Sequence, residues 1–421
     1  MKRKIDDFLI HWKNEEDRKP LIIYGSKGVG KTYTSILFGQ KNYENTVYIN
    51  AEDSETILGY LKKENTYDGV IKSLEDYSKE KIEKDNTLVI VDNLESEELL
   101  NYFKSFGKFK TGYHVLLIAT LKENLSKFKS IEFQFKSMYP LDFEEFLTVC
   151  GKTELIDFIR VSFKNNTKNP FHSLAMEYFD KFMITGGMPE GVELFLNSNN
   201  KLLLNSVYDK LIDSYKKEMI KNTNLIDIVR GNEIFDSIAK QLVKGNKKFQ
   251  YGLIKDGGRS KEYENALKFL HNNGLLIKSY KLKEVKSPLS SNRDKDNFKV
   301  YFNDPGFLYK KLYLNSNTFN DYKLILYENA VASSLVQNGY TLQYYQSQGK
   351  AEVDFIIQSR GGNIIPIEIV PHIKNKSKAL GEFLSKNEAK EAIRLTVDNF
   401  KVRNGIRYIP VYATFCFDEI I

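Results

Sequence analysis

Cysteine is almost missing from this chain. Cys150 and Cys416 are the only two in 421 residues. Two thiols make no disulfide framework, and both lie in apolar stretches that suit buried cysteines in a reducing compartment. Long apolar runs are missing too. No uncharged stretch approaches the roughly 20 residues that span a bilayer. The opening MKRKIDDFLIHW has an apolar run too short and too interrupted for a secretion leader. The expectation is a cytoplasmic protein without a membrane partner.

What is present fits folded domains. The chain is 42% apolar and 13% aromatic, unlike a disordered segment. Its length suits about two to four domains. The net charge of +7 is unevenly spread. Between Lys240 and Lys299 stand 15 Lys or Arg against 6 Asp or Glu, a local excess of 9, so the remainder carries 7 − 9 = −2. A basic island on a near-neutral chain marks a surface for an anionic partner, DNA or RNA, or else lysines that merely solvate loops.

Residues 20–32 read PLIIYGSKGVGKT. A short apolar strand feeds Gly25, four residues follow, and then Gly30-Lys31-Thr32 opens a helix-forming stretch: the P-loop pattern in its proper context. Gly25, Ser26, Lys27, Gly28, Val29 and Gly30 form the turn whose amides face phosphate oxygens at the start of a helix. Lys31 reaches the terminal phosphates, and Thr32 offers its hydroxyl to Mg2+. ATP or ADP is the implied ligand. TVYINA (46–51), TLVIVD (87–92) and YHVLLIAT (113–120) read as further strands of a doubly covered parallel sheet. Asp92 ends the second of these and is a metal candidate beside Thr32, or a plain helix N-cap. Thr120 ends the third and is a candidate sensor of the terminal phosphate.

Further along, SMYPLDFEEFL (137–147), ITGGMPEGVELF (184–195), VYFNDPGFLYKKL (300–312), YENAVASSLVQNGY (327–340), AEVDFII (351–357) and IIPIEI (364–369) occur in order. With the P-loop, this series resembles the prokaryotic AAA-type and STAND-like P-loop ATPases that carry a C-terminal domain of unknown function. The resemblance implies an α/β architecture in four parts: a P-loop ATPase domain (1–141), a helical lid (142–230), a winged helix (231–312) and a restriction-endonuclease-like domain (313–421). The pattern itself agrees in the middle. Residues 142–230 have helical periodicity. From Asn232 the chain reads as helix, turn and short helix, then a helix over 260–272, a strand, a polar loop through 290–296 and a strand over 297–302. Lys255, Arg259, Lys261, Lys283, Lys286 and Arg293 are the nucleic-acid candidates, with Glu262 and Glu264 opposing a duplex. A winged helix also serves as a protein docking surface.

The chain departs from the family at chemical positions. The family's Asp-Glu pair is Asp92-Asn93 here, and an amide cannot accept a proton from water. Glu95 is the nearest carboxylate that a bent loop would bring in. Lys129 and Ser130 stand where the family has an arginine. In the C-terminal part the resemblance implies a magnesium-holding frame of Glu328, Asp354 and Glu368. Val370 occupies the place of the nuclease lysine, leaving His372 or Lys374 as substitutes. The expectation is a nucleotide-dependent switch with slow hydrolysis and an inactive nuclease-like domain. Two alternatives stand: a working ATPase coupled to magnesium-dependent DNA cleavage, and a structural protein that needs nucleotide to fold.

Overall fold

The computed structural model describes residues 1–420 apart from 63, 65, 108–109, 121–124, 126–131, 199–200, 316, 348–350, 375–377, 388 and 390. Lys129 and Ser130 lie outside the described residues. The chain divides into two compact units, Met1–Tyr139 and Pro140–Ile421.

The first unit runs α1 (Lys4–Asn14), β1 (Leu21–Tyr24), α2 (Lys31–Asn42), β2 (Asn45–Asn50), α3 (Ser54–Leu61), α4 (Tyr67–Ser78), β3 (Thr87–Asp92), α5 (Glu97–Tyr102), β4 (His114–Ala119) and β5 (Gln134–Ser137). The strands form one parallel sheet in the order β2-β3-β4-β1-β5. Every residue of β3 and β4 is buried, as strands covered on both faces require. Because β4 enters between β1 and β3, three strand ends stand side by side: Tyr24 before the P-loop, Ala119 before Thr120, and Asp92.

The opposite end of β4 carries a polar cluster. His114 is 3% exposed. Its Nδ1 meets Tyr43 Oη at 2.6 Å, and its Nε2 contacts Arg18 and lies 3.3 Å from Asp85. Burial, followed by the Arg18 charge, pushes the imidazole down to about 4. In the unfolded chain the ring titrates near 6.5, so stability from a neutral His114 is complete above that pH and is lost as pH falls toward 4. Acid denaturation of the first unit should therefore begin within this window. His114→Gln should flatten the pH dependence of its melting temperature there; an unchanged profile would contradict the assignment.

The second unit continues with α6 (Phe143–Val149), α7 (Thr153–Asn165), α8 (His172–Thr185), α9 (Pro189–Ser198), α10 (Lys201–Asn222) and α11 (Leu225–Leu242). Then come α12 (Ser260–Asn272), β6 (Leu276–Leu282), β7 (Arg293–Phe302), α13 (Pro305–Lys311), α14 (Phe319–Gln337), β8 (Gln343–Gln346), β9 (Glu352–Gln358), β10 (Ile364–Ile369), α15 (Ala379–Lys386), β11 (Ala392–Thr396), β12 (Lys401–Arg403) and β13 (Ile406–Pro410). Two turns that lie far apart in the sequence, at Gly186-Gly187 and at Asp304, meet in its core. Asp304 is fully buried and accepts from the Gly187 amide, from the Gly306 amide at 2.8 Å and from Tyr208 Oη at 2.7 Å. A Cβ on Gly186, at φ +71°, would meet Tyr208 Oη at 1.9 Å and Asp304 Oδ1 at 2.2 Å, so the Gly-Gly pair is a close-packing requirement here.

The β6–β7 hairpin lies at the edge of an eight-stranded mixed sheet, β12-β13-β11-β10-β9-β8-β6-β7. Residues on both sides of position 312 thus share one sheet, joined through the parallel β6–β8 pair. The polar stretch 290–296 is only partly loop, since β7 already starts at Arg293 and crosses a register shift opposite Tyr280 and Lys281. The apolar ending 405–417 is strand only as far as Pro410. After β13, Val411–Ile420 turns into a 3-10 helix that buries Val411 through Phe417. A short apolar run buried all round reads alike as strand or helical turn.

Candidate nucleotide-binding site

The loop between β1 and α2 has the backbone its glycines permit. Gly28 and Gly30 have φ +81° and +93°. A Cβ on Gly25 would sit 2.0 Å from the Met138 carbonyl oxygen, so this position closes against the segment that follows β5. Lys31 is buried at 8% exposure, and its ammonium donates to the carbonyls of Gly25 (2.7 Å) and Ser26 (3.0 Å). The cation is held over the loop by groups that a phosphate oxygen can replace. Ser26 and Val29 are buried, and Lys27 is half-buried.

Thr32, at the second position of α2, donates its hydroxyl to Asp92 Oδ2 at 2.5 Å. Tyr48 Oη donates to the same oxygen at 3.1 Å, and the Asn93 amide to Oδ1 at 2.7 Å. Asp92 is 4% exposed. Burial and then Asp92 push the Tyr48 hydroxyl up to about 12, so it stays a donor. Tyr48 carried no motif. Its signal was register: on β2 it lies two residues before Asn50, which pairs with Asp92.

Asn93 is exposed and left-handed, with φ +56°. Its side chain donates to Asn50 Oδ1 at 2.9 Å. Asparagine tolerates this backbone better than glutamate does, which gives the residue a local reason to be there. Glu95 is half-buried in the bend before α5, and Thr120 is buried at the tip of β4 between the P-loop strand and the Asp92 strand.

The other expected groups lie in the second unit. Lys255, Arg259, Lys261, Lys283 and Lys286 are exposed. Arg293 is not available in the same way. Its guanidinium lies over the Tyr280 ring at 5.5 Å and donates to the Gln343 side-chain oxygen at 2.8 and 3.0 Å once that amide faces its acceptors. Glu262, expected to oppose a duplex, has a local role as well: its carboxylate accepts the Arg259 amide at 3.1 Å and caps α12.

Among the described residues no group of three or more His, Cys, Asp or Glu is placed to hold a metal ion. Glu328 is 4% exposed and bound by Lys247 and by Tyr301 Oη (2.8 Å). Burial would raise its carboxyl, but Lys247 and Lys299 more than reverse this and hold it below the usual range. Asp354 accepts the Ile369 amide at 2.8 Å, and burial followed by Glu328 pushes it up to about 7. Glu368 pairs with Arg394 at 2.8 Å. Val370 is buried, and His372 pairs with Asp398 at 2.9 Å. Two cations from far earlier in the chain stand at these carboxylates: Lys247 on Glu328, and Lys299 bound to Glu352.

Residues 17–147 match the family described as an AAA domain. Residues 176–318 and 325–414 match two domains of unknown function, DUF8612 and DUF4143. No curated protein matches the chain. Similar solved structures include a Walker-type ATPase of Pyrococcus abyssi, with 13% identity over 74% of this chain and 95% of that one and a TM-score of 0.42. The Aeropyrum pernix ORC1 protein in complex with DNA has 12% identity over 74% and 90%, with a TM-score of 0.29. AMPPCP-bound DnaA from Aquifex aeolicus has 13% identity over 64% and 89%, with a TM-score of 0.27. The first unit is a P-loop ATPase domain of the AAA type on a five-stranded parallel sheet. Among the described residues no helix is long and apolar enough to cross a membrane.

Proposed function

We propose that the chain is a nucleotide-dependent switch that holds ATP or ADP with Mg2+ and turns ATP over slowly. The carrying observation is the Thr32–Asp92 contact at 2.5 Å beside a Lys31 ammonium poised on the Gly25 and Ser26 carbonyls. An all-oxygen donor set of one hydroxyl and one carboxylate suits magnesium, which keeps several waters. Mg2+ bound there would neutralise charge on the terminal phosphates. The amides of Gly25 to Thr32 would receive the phosphates, and Thr120 would sense the terminal one from the tip of β4.

Slow turnover follows from Asn93, which cannot take a proton from water. Glu95 is the substitute to test. Wild-type kcat should fall well below the ordinary roughly 10 s⁻¹. Asn93→Glu should raise kcat while costing about 1 kcal/mol of stability, because the position is left-handed. A wild-type enzyme at the ordinary rate would show that another group prepares the water.

In the second unit, the α11–α12 pair with its hairpin supports a winged-helix reading, and helices α6 to α10 support a lid. Five exposed cations, Lys255, Arg259, Lys261, Lys283 and Lys286, support contact with DNA or RNA phosphates. Replacing Lys283 and Lys286 with Ala should reduce the salt dependence of binding by about 2 on the log–log slope. If no nucleic acid binds at low salt, a protein partner is the occupant of this face. The C-terminal part is proposed as restriction-endonuclease-like in frame and without cleavage activity, since its carboxylates are paired with Lys247 and Arg394.

A further inference from the structure

The P-loop is braced by a residue that no motif includes. Arg3 is 6% exposed. Its backbone is pinned at the start of α1, where its amide donates to Asp6 Oδ2 at 2.8 Å and its carbonyl accepts from the Asp6 amide at 3.0 Å. Buried Ile5, Leu9 and Trp12 anchor that helix. From this fixed base the guanidinium forks. Nη1 donates to the Val29 carbonyl at 2.9 Å, and Nη2 to the Tyr139 carbonyl at 2.8 Å.

The Val29 oxygen belongs to the Val29–Gly30 peptide. In a planar trans peptide the C=O and N–H point to opposite sides. Fixing the oxygen on Arg3 therefore turns the Gly30 amide the other way. Gly30, at φ +93° and ψ +19°, leads directly into α2 with Lys31 and Thr32. A single-residue rotation here would swing that amide, and the glycines on either side of Val29 offer little resistance to it. The second prong ties the same loop to Tyr139. There the Met138 amide also donates to the Tyr24 carbonyl at 2.8 Å, and the first unit ends.

We infer that Arg3 is a positioning residue for phosphate binding: its guanidinium fixes the Val29–Gly30 peptide plane and so aims the Gly30 amide at the nucleotide. Arg3 has this role only if the loop binds nucleotide as proposed above. Lysine cannot replace it fully, because an ammonium lacks the planar fork that reaches two carbonyls at once.

The test is ADP and pyrophosphate affinity in Mg2+, by calorimetry, for wild type, Arg3→Ala and Arg3→Lys, with melting of each protein free of ligand. Arg3→Ala should bind both ligands about tenfold more weakly, the scale of one lost hydrogen bond to a charged group. Arg3→Lys should recover part of the loss. Should Arg3→Ala fail to fold, Arg3→Lys carries the test, with weaker ADP binding expected. Wild-type affinity in a folded variant overturns the role. So does a lower melting temperature with unchanged affinity, since a mere brace behaves that way. Absence of ADP binding by the wild type overturns the nucleotide reading itself, which separates the two failures.

Discussion

Lys31→Ala should take nucleotide binding below calorimetric detection. The ammonium is 8% exposed and is the one cation donating to the Gly25 and Ser26 carbonyls in the described contacts. A phosphate in the loop would leave its charge in a partly desolvated pocket lined by backbone amides. Loss of a buried charge partner at a binding site costs about 2 to 5 kcal/mol, or roughly 30- to 5000-fold in affinity. Alanine at the first turn of α2 is a good helix former, so the fold should persist. Magnesium-dependent binding equal to wild type in the folded variant would remove the site.

Glu328→Ala should destabilise the second unit by about 3 to 5 kcal/mol, the usual cost of breaking a buried ion pair from one side. Glu328 receives Lys247 and Tyr301, and its charge also compensates Lys299, which is 0% exposed. Removing it leaves half-buried Lys247 without the carboxylate it contacts and buried Lys299 with Glu352 as its remaining contact among the described pairs. Urea denaturation measures the loss. Replacing Glu328 and Lys247 together by Met should recover much of it, because neither charge then remains unpaired. A loss under about 1 kcal/mol in the single variant would mean that water reaches the cluster and screens it.

Legibility followed distance along the chain. The P-loop could be read because its strand, glycines, lysine and helix are adjacent, and Asp92 because it ends an apolar strand. The parallel sheet followed from buried runs alternating with helical ones. The insertion of β4 between β1 and β3, which sets Thr120 between the P-loop and Asp92, leaves no local period. Nor does the pairing of β6 with β8, which carries one sheet across position 312. Lys247 meets Glu328 from 81 residues away, and Arg3 meets Tyr139 from 136 away. Spacing rules do not see such contacts. Arg293 was readable only as a charge, and its commitment to Gln343 and Tyr280 depends on a bulged hairpin. Asn93 was readable as a missing base, while its left-handed backbone was not.

As proposed, this P-loop should hold ATP for longer than an ordinary ATPase takes to turn it over. The direct measurement mixes equimolar protein and radiolabelled ATP with Mg2+ and follows the bound nucleotide in time. Filter-retained ATP should remain intact far beyond the roughly 0.1 s turnover of an ordinary enzyme, and should be lost in Lys31→Ala. Conversion of bound ATP to ADP on that 0.1 s scale, or no retained nucleotide at all, would contradict it.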